Sequence, residues 1–308
     1  MDEHTPVLVE ESLAALALEA DGYYVDATFG RGGHTARILA ALGRKGFLLA
    51  LDRDAAAIEA GRARFADEVR LALVHAPFAE LATLVPRYSD GRPCLGVLFD
   101  LGVSSPQLDD PARGFSFRAD GPIDMRMDAT RGEPVSAWLA RAGVDEIRQV
   151  IATLGEERFA RRIAEAIVNT RAAAPLTRTS QLAELVSRAV RTREPGKHPA
   201  TRTFQALRMF INDELGQLER GLAAAASALA IGGRLAAITF HSLEDRAVKQ
   251  FMQSESSVPP DLARLPVIPA AAEPRFKLVG RKTRPTADEI ARNPRARSAM
   301  LRVVERVR

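Results

Sequence analysis

Apolar residues in the first hundred positions fall into short runs separated by glycine, proline and charged residues. Tyr23-Tyr24-Val25 is aromatic and β-branched and ends at Asp26, a composition that suits a short buried strand. Gly30, Gly32 and Gly33 then break the run, and Thr35 to Leu42 resumes at helical spacing. The same unit recurs. Residues 46–52 predict a second buried strand ending at Asp52, and Asp54 is placed to cap a helix over 55–65. Residues 69–74 predict a third strand, followed by His75-Ala76-Pro77-Phe78 and a helix through Leu84, and residues 95–100 predict a fourth strand ending at Asp100. Strands alternating with helices of this length imply a parallel sheet with right-handed crossovers. The expected fold is therefore doubly wound α/β, in which ligands bind outside the carboxyl ends of the strands. Asp26, Asp52 and Asp100 all sit at such ends.

The alternation stops near Pro111. From there to His198 the apolar positions follow helical spacing: Phe159, Ile163 and Ile167 share one face of a helix over 158–168. Leu182, Leu185, Val186 and Ala189 share another over 180–191. Beyond it, Phe204, Leu207, Ile211, Leu215, Leu218 and Leu222 predict one long helix. Residues 229–234 then read as a turn, 235–240 as a strand, 254–272 as a Pro- and Ala-rich loop, and 301–304 as a final strand returning to the sheet. The organisation predicted is a cofactor-binding domain over 1–110, a helical insertion over 111–200, and the second part of the α/β domain over 201–308.

Composition narrows the class. Cys94 is the only cysteine, which excludes a disulfide framework and a thiolate metal site. No apolar run reaches the roughly 18 residues of a membrane span. The start, Met1-Asp2-Glu3-His4, lacks a signal peptide's basic and apolar regions, so a cytoplasmic protein is expected. The net charge of +4 conceals an asymmetry. Residues 1–110 carry 10 Lys/Arg against 17 Asp/Glu, residues 125–210 carry 15 against 9, and residues 275–308 carry 11 against 3. Basic segments joined to an acidic half suggest a polyanionic partner, with solvated basic surface as the plainer alternative. Nothing in the sequence decides between a monomer and a homodimer.

The glycine turn selects a cofactor by elimination. A phosphate loop needs Gly-x-x-x-x-Gly-Lys-Ser/Thr, which is absent. The dinucleotide fingerprint Gly-x-Gly-x-x-Gly fits at Gly30 and Gly32 but meets Thr35 at the third position. Asp26 would repel a pyrophosphate, yet it suits the ammonium and sulfonium of S-adenosylmethionine. Asp52 lies 20 residues beyond Gly32, the spacing at which an acid accepts ribose hydroxyl hydrogens. S-adenosylmethionine is the expected cofactor, and the five histidines show no paired spacing for a metal.

The fourth strand runs into Asp100-Leu101-Gly102-Val103-Ser104-Ser105-Pro106-Gln107. Amino-methylating enzymes carry an (Asp/Asn/Ser)-Pro-Pro-aromatic loop here, whose acceptors bind the hydrogens of an exocyclic amine. Such an amine is conjugated into its ring and is a poor nucleophile until those hydrogens are held. Ser105-Pro106-Gln107 matches in part, lacking the second proline and the aromatic, for which Phe115 or Phe117 is a candidate. An ordinary turn is the alternative. Asp100, Ser105 and Pro106 are thus the candidate catalytic residues.

Several motifs together resemble the bacterial 16S rRNA cytosine-N4 methyltransferases of the RsmH or MraW type. They are 26–34 (Asp26 to His34), 100–109 (Asp100 to Asp109), Arg113-Gly114-Phe115-Ser116-Phe117, 121–128 (Gly121 to Asp128) and Gly155-Glu156-Glu157-Arg158-Phe159. Further matches are 198–205 (His198 to Gln205), 240–246 (Phe240 to Arg246) and 293–298 (Asn293 to Ser298). They run in family order along almost the whole chain, and only 254–274 looks idiosyncratic. The resemblance implies a class I, Rossmann-like methyltransferase fold with S-adenosylmethionine contacts at Gly32, Gly33, His34, Asp52, Phe78, Asp100 and Gln107. To these the reading of the turn adds Asp26 and Gly30. It also implies a cytosine in the decoding region of the small ribosomal subunit, splayed out for methylation, with the insertion and the basic tail gripping rRNA phosphates. A DNA amino-methyltransferase and a non-catalytic ribosome-assembly factor are the alternatives.

Other residues keep more than one reading. His34 is a cofactor donor or a helix-start hydrogen bond, and His241 is a base, an RNA contact or a structural residue. Arg202 meets RNA or caps the long helix. His4 and His75 show no partner, while Trp138, Met125 and Met127 read as core of the insertion.

Overall fold

The computed structural model describes residues 6–190, 196 and 198–308. His4, the rest of the extreme N-terminus and the expected helix end at Arg191 lie outside the described residues. The chain divides into two compact units, one of residues 1–102 and 215–308 and one of residues 103–214. The sequence boundaries at 110 and 200 both fall inside the second.

In chain order the first unit begins α1 (Val9–Leu16), β1 (Tyr23–Asp26), α2 (Gly33–Ala41), β2 (Phe47–Asp52), α3 (Ala55–Arg64), β3 (Leu71–His75), α4 (Leu81–Ser89) and β4 (Cys94–Asp100). The second unit holds α5 (Ser105–Asp109), α6 (Val135–Arg141), α7 (Val144–Gly155), α8 (Ala160–Ala173), α9 (Thr179–Ala189) and α10 (Thr201–Ile211). The first unit resumes along α11 (Glu214–Ala228), then β5 (Leu229–Thr239), α12 (Ser242–Glu255), β6 (Phe276–Leu278), α13 (Ala287–Arg292) and β7 (Met300–Arg306).

The sheet order is β3-β2-β1-β4-β5-β7-β6. β1 to β5 are parallel, while β7 runs antiparallel to both β5 and β6. This is a doubly wound, Rossmann-like sheet, and its strand order reverses between β1 and β4, the place where such sheets bind ligands. The period-2 pleat explains why the central strands are apolar at every position. Tyr23, Val25, Leu49, Leu51, Val97 and Phe99 build the core on one face, while Tyr24, Leu48 and Leu98 build it on the other.

Two sequence expectations need correction here. The helix expected over 204–222 is two helices. Asp213 has φ 48°, a left-handed conformation that ends a helix at some cost to a non-glycine residue. The preceding Asn212 holds the break: its Nδ2 donates to the carbonyls of Met125 at 2.7 Å and Arg208 at 2.8 Å, and its Oδ1 accepts from the Met127 N–H at 2.8 Å. Apolar spacing continues across the break because both halves bury a face. The turn expected over 229–234 is a bulge within β5. Leu229 pairs with Cys94 and Arg234 with Gly96, so four residues loop out opposite one. A short strand, β6, was not expected; its Phe276 is buried beside β7.

The second unit has its own core. Ile147, Ile151, Ile163, Ile167, Leu182, Val186, Phe204 and Leu207 pack with Trp138 and Met125, and Met127 is also buried. No helix among the described residues is long and apolar enough to cross a membrane.

Candidate functional site

The turn after β1 is built by side chains bonding to nearby backbone. Asp26 is fully buried; its Oδ1 accepts the Thr28 N–H at 3.1 Å and its Oδ2 accepts the Thr35 hydroxyl at 2.7 Å. Burial raises the Asp26 pKa. The Thr35 hydroxyl, the His34 imidazole and the Thr28 N–H oppose the rise, while the charge of Asp100 adds to it. Asp26 therefore forms the floor of the turn. Thr35 occupies the third position of the glycine fingerprint and supplies a hydroxyl to that floor, which a glycine cannot do.

Gly30 has φ +54° and its N–H donates to Asp52 Oδ2 at 2.7 Å. Asp52 Oδ1 accepts the Asp54 N–H at 2.8 Å, and Asp54 caps α3 through the Ala56 N–H. A carboxylate has about four acceptor positions, so these two bonds leave Asp52 able to accept from a diol. Burial raises its pKa to about 6, against the lowering effect of both backbone bonds, and the charges of Asp54 and Asp26 raise it further. Gly32 has φ +70°, and a Cβ there would lie 2.7 Å from the Phe29 ring and 2.8 Å from Phe65. A Cβ on Gly33 would lie 2.2 Å from Pro6. Protein side chains thus fill the space beside both glycines, whereas a Cβ on Gly30 would meet nothing nearer than 3.9 Å.

At the end of β4 the Asp100 N–H donates to Thr28 Oγ1 at 2.6 Å, tying the two central strand ends together. Its Oδ2 lies 3.5 Å from His34 Nε2, on a histidine only 5% exposed. Asp100 Oδ1 and His34 Nε2 are both buried without a hydrogen-bond partner among the described residues, a condition that is costly unless a ligand completes it. Burial by itself lowers the His34 pKa, but the carboxylates of Asp100 and Asp26 and the Val7 backbone more than offset this, and the net direction is upward.

Phe78 follows β3 in a short 3₁₀ turn and meets Phe99 edge-on, with centroids 5.4 Å apart. α11 presses on its ring at Gly221, where a Cβ would stand 2.5 Å from Phe78 Cδ2. Asp26, Gly30, Gly32, Gly33, His34, Asp52, Phe78 and Asp100 therefore belong to one unit, on the loops at the carboxyl ends of its central strands. The sequence reading passed over Thr28 and Gly221 and took Thr35 only as a missing glycine; for Thr28, its position two residues after Asp26 was the available signal.

Ser105, Pro106 and Gln107 lie in the helical unit, in the first turn of α5. There Gln107 is buried and its Oε1 accepts the Ser104 N–H at 3.0 Å as half of a capping box. Phe115 is also buried, with the Arg113 guanidinium 5.7 Å from its ring centroid. Phe117 is half-buried and stacked on His198, so neither phenylalanine offers an open face of its own. Arg202 donates to the Glu156 carbonyl at 2.8 Å, at the end of α7. In the first unit, His241 and Glu244 form the capping box of α12, and the exposed His75 lies 3.0 Å from the Arg53 carbonyl.

Relatives called ribosomal RNA small subunit methyltransferase H match the chain almost end to end. That of Azoarcus sp. (strain BH72) is 55% identical over 305 residues, covering 99% of this chain and 97% of the relative. That of Alteromonas mediterranea is 51% identical over 307 residues, covering 99% and 98%. A model of the MraW methylase family matches residues 1–307. With its doubly wound sheet and this match over nearly its whole length, the chain belongs to the MraW methylase family.

Proposed function

We propose that this protein uses S-adenosylmethionine to methylate the exocyclic N4 of a cytosine in the decoding region of 16S rRNA, in the cytoplasm, on the small ribosomal subunit. The observation that carries the reading is the pair of buried polar atoms, Asp100 Oδ1 and His34 Nε2, that have no hydrogen-bond partner among the described residues, beside a glycine turn and a ribose-type acid. Names of relatives that cover 97–98% of their own length support the rRNA substrate.

The residues fit the donor. When bound, S-adenosylmethionine supplies a methyl group on a sulfonium, already a good leaving group. Asp52 accepts the ribose hydroxyl hydrogens with the acceptor positions that Gly30 and Asp54 leave open. Phe78 offers an aromatic face to adenine, and Gly30, Asp26 and His34 shape the methionine end. Asp100 Oδ1 then accepts from an amine hydrogen, which localises the nitrogen lone pair that ring conjugation otherwise withdraws. The remaining rate comes from holding the partners in line in a dry, polarised site.

The test is incubation of the purified protein and S-adenosylmethionine with unmodified small subunits, followed by nucleoside mass spectrometry. N4-methylcytidine in 16S rRNA is expected. Its absence, or methylation only of duplex DNA, overturns the proposal. Calorimetry with Asp52→Ala is expected to show lost cofactor binding.

A further inference from the structure

The helical unit carries an aromatic stack that runs from its core out to the surface. Phe117 and His198 lie with ring centroids 4.5 Å apart and 29° between planes. Behind them Phe204 meets Phe117 edge-on at 5.0 Å. Phe204 is buried and Phe117 half-buried, but His198 is exposed. One face of the imidazole therefore covers Phe117 and the other turns to solvent. The ring is also held in place: its Nδ1 accepts the Ala200 N–H at 3.2 Å, immediately before α10. In the neutral ring this leaves the proton on Nε2. Exposed Arg118 follows Phe117 in the chain.

A flat ring that is exposed and already ordered on a second ring pays no further ordering entropy when something stacks on it. Every nucleobase has a π-face, and stacking on aromatic side chains is the ordinary way in which proteins hold unpaired bases. We infer that the Phe117–His198 stack is a platform for one unpaired base of the RNA substrate, with Arg118 as a cation for the adjoining phosphate. The inference rests on the rRNA reading above and adds a base-binding position to it. The exposed geometry suits a base beside the one modified, since a base undergoing chemistry has to be enclosed.

The test uses the full-length protein, its His198→Ala and His198→Phe variants, and two probes. One is unmodified 16S rRNA; the other is a short single-stranded RNA carrying 2-aminopurine, whose fluorescence is quenched on stacking. His198→Ala is expected to weaken RNA binding about ten-fold or more, to abolish the quenching and to raise KM for small subunits, with cofactor affinity unchanged. His198→Phe keeps a stacking face and is expected to bind and quench like the parent. Parental binding by His198→Ala overturns the inference. So does equal weakness of the Ala and Phe variants, because the ring would then act only through its bond to Ala200. The platform is judged on binding and quenching alone. A parent protein that binds and quenches RNA yet leaves no methyl group on it overturns the functional reading and not the platform.

Discussion

Asp52→Asn separates the electrostatic cost of the site from its use. The folded-state pKa of about 6 lies some two units above the ordinary 3.8 because burial disfavours the carboxylate. The sign follows from proton linkage. Below pH 3.8 the group is protonated in both folded and unfolded chains and contributes nothing. Between 3.8 and about 6 the folded chain holds the proton more tightly, so stability falls as pH rises. Above about 6 the full cost is present, about 3 kcal/mol at 1.36 kcal/mol per unit. Asparagine carries no such cost. It does turn an amide NH₂ toward either the Gly30 or the Asp54 N–H, each of which now donates to a separate carboxylate oxygen; one buried donor left unpaired costs about 1–3 kcal/mol. The two terms nearly cancel at pH 8, so the variant is expected to be within about 2 kcal/mol of the parent there. At pH 4.5 only about 1 kcal/mol of that cost has set in, so the lost bond outweighs it and the parent is the more stable protein. The assay is urea unfolding of both proteins across pH 4.5 to 8, read as a difference. A stability difference that stays flat across pH 5 to 7 refutes the assigned pKa. A difference that moves in the parent's favour as pH rises refutes the sign.

Three further changes probe the same turn. Thr35→Val removes the hydroxyl on the buried Asp26 carboxylate and is expected to cost about 1–3 kcal/mol in chemical denaturation, with Thr35→Ser close to the parent; equal loss in both variants counts against the hydrogen bond. Gly32→Ala combines a left-handed φ with a Cβ driven into Phe29 and Phe65, and about 2–5 kcal/mol is expected; an unchanged melting temperature contradicts the crowding. Asp100→Asn takes away the charge that holds the His34 pKa up. Imidazole NMR is expected to show His34 titrating at lower pH than in the parent, and an unmoved titration breaks the proposed coupling.

What the sequence revealed, and what it hid, follows from the range of the interactions. Strand and turn residues announce themselves locally, because a pleat buried on both faces must be apolar throughout and must end where an acid or glycine begins. Tyr23 to Asp26 and 95–100 were therefore legible as strands, and their acids as strand ends. Thr28 was not legible as the residue joining β1 to β4, because its partner Asp100 lies 72 positions away and apolar spacing carries no information on which strand neighbours which. The contact of Gly221 with Phe78 was hidden for the same reason. The break at Asn212–Asp213 was masked by a different cause. Apolar positions at spacings of three and four report which face is buried, and they continue unchanged when two helices bury consecutive faces. Thr35 shows how a departure from a motif becomes informative. In the sequence it was a missing glycine that argued against a pyrophosphate; in the fold it is the donor that satisfies Asp26. A glycine at that position would leave the buried carboxylate oxygen without its partner. The substitution that excludes the dinucleotide fingerprint is thus the same one that lets an acid sit in the floor of this turn.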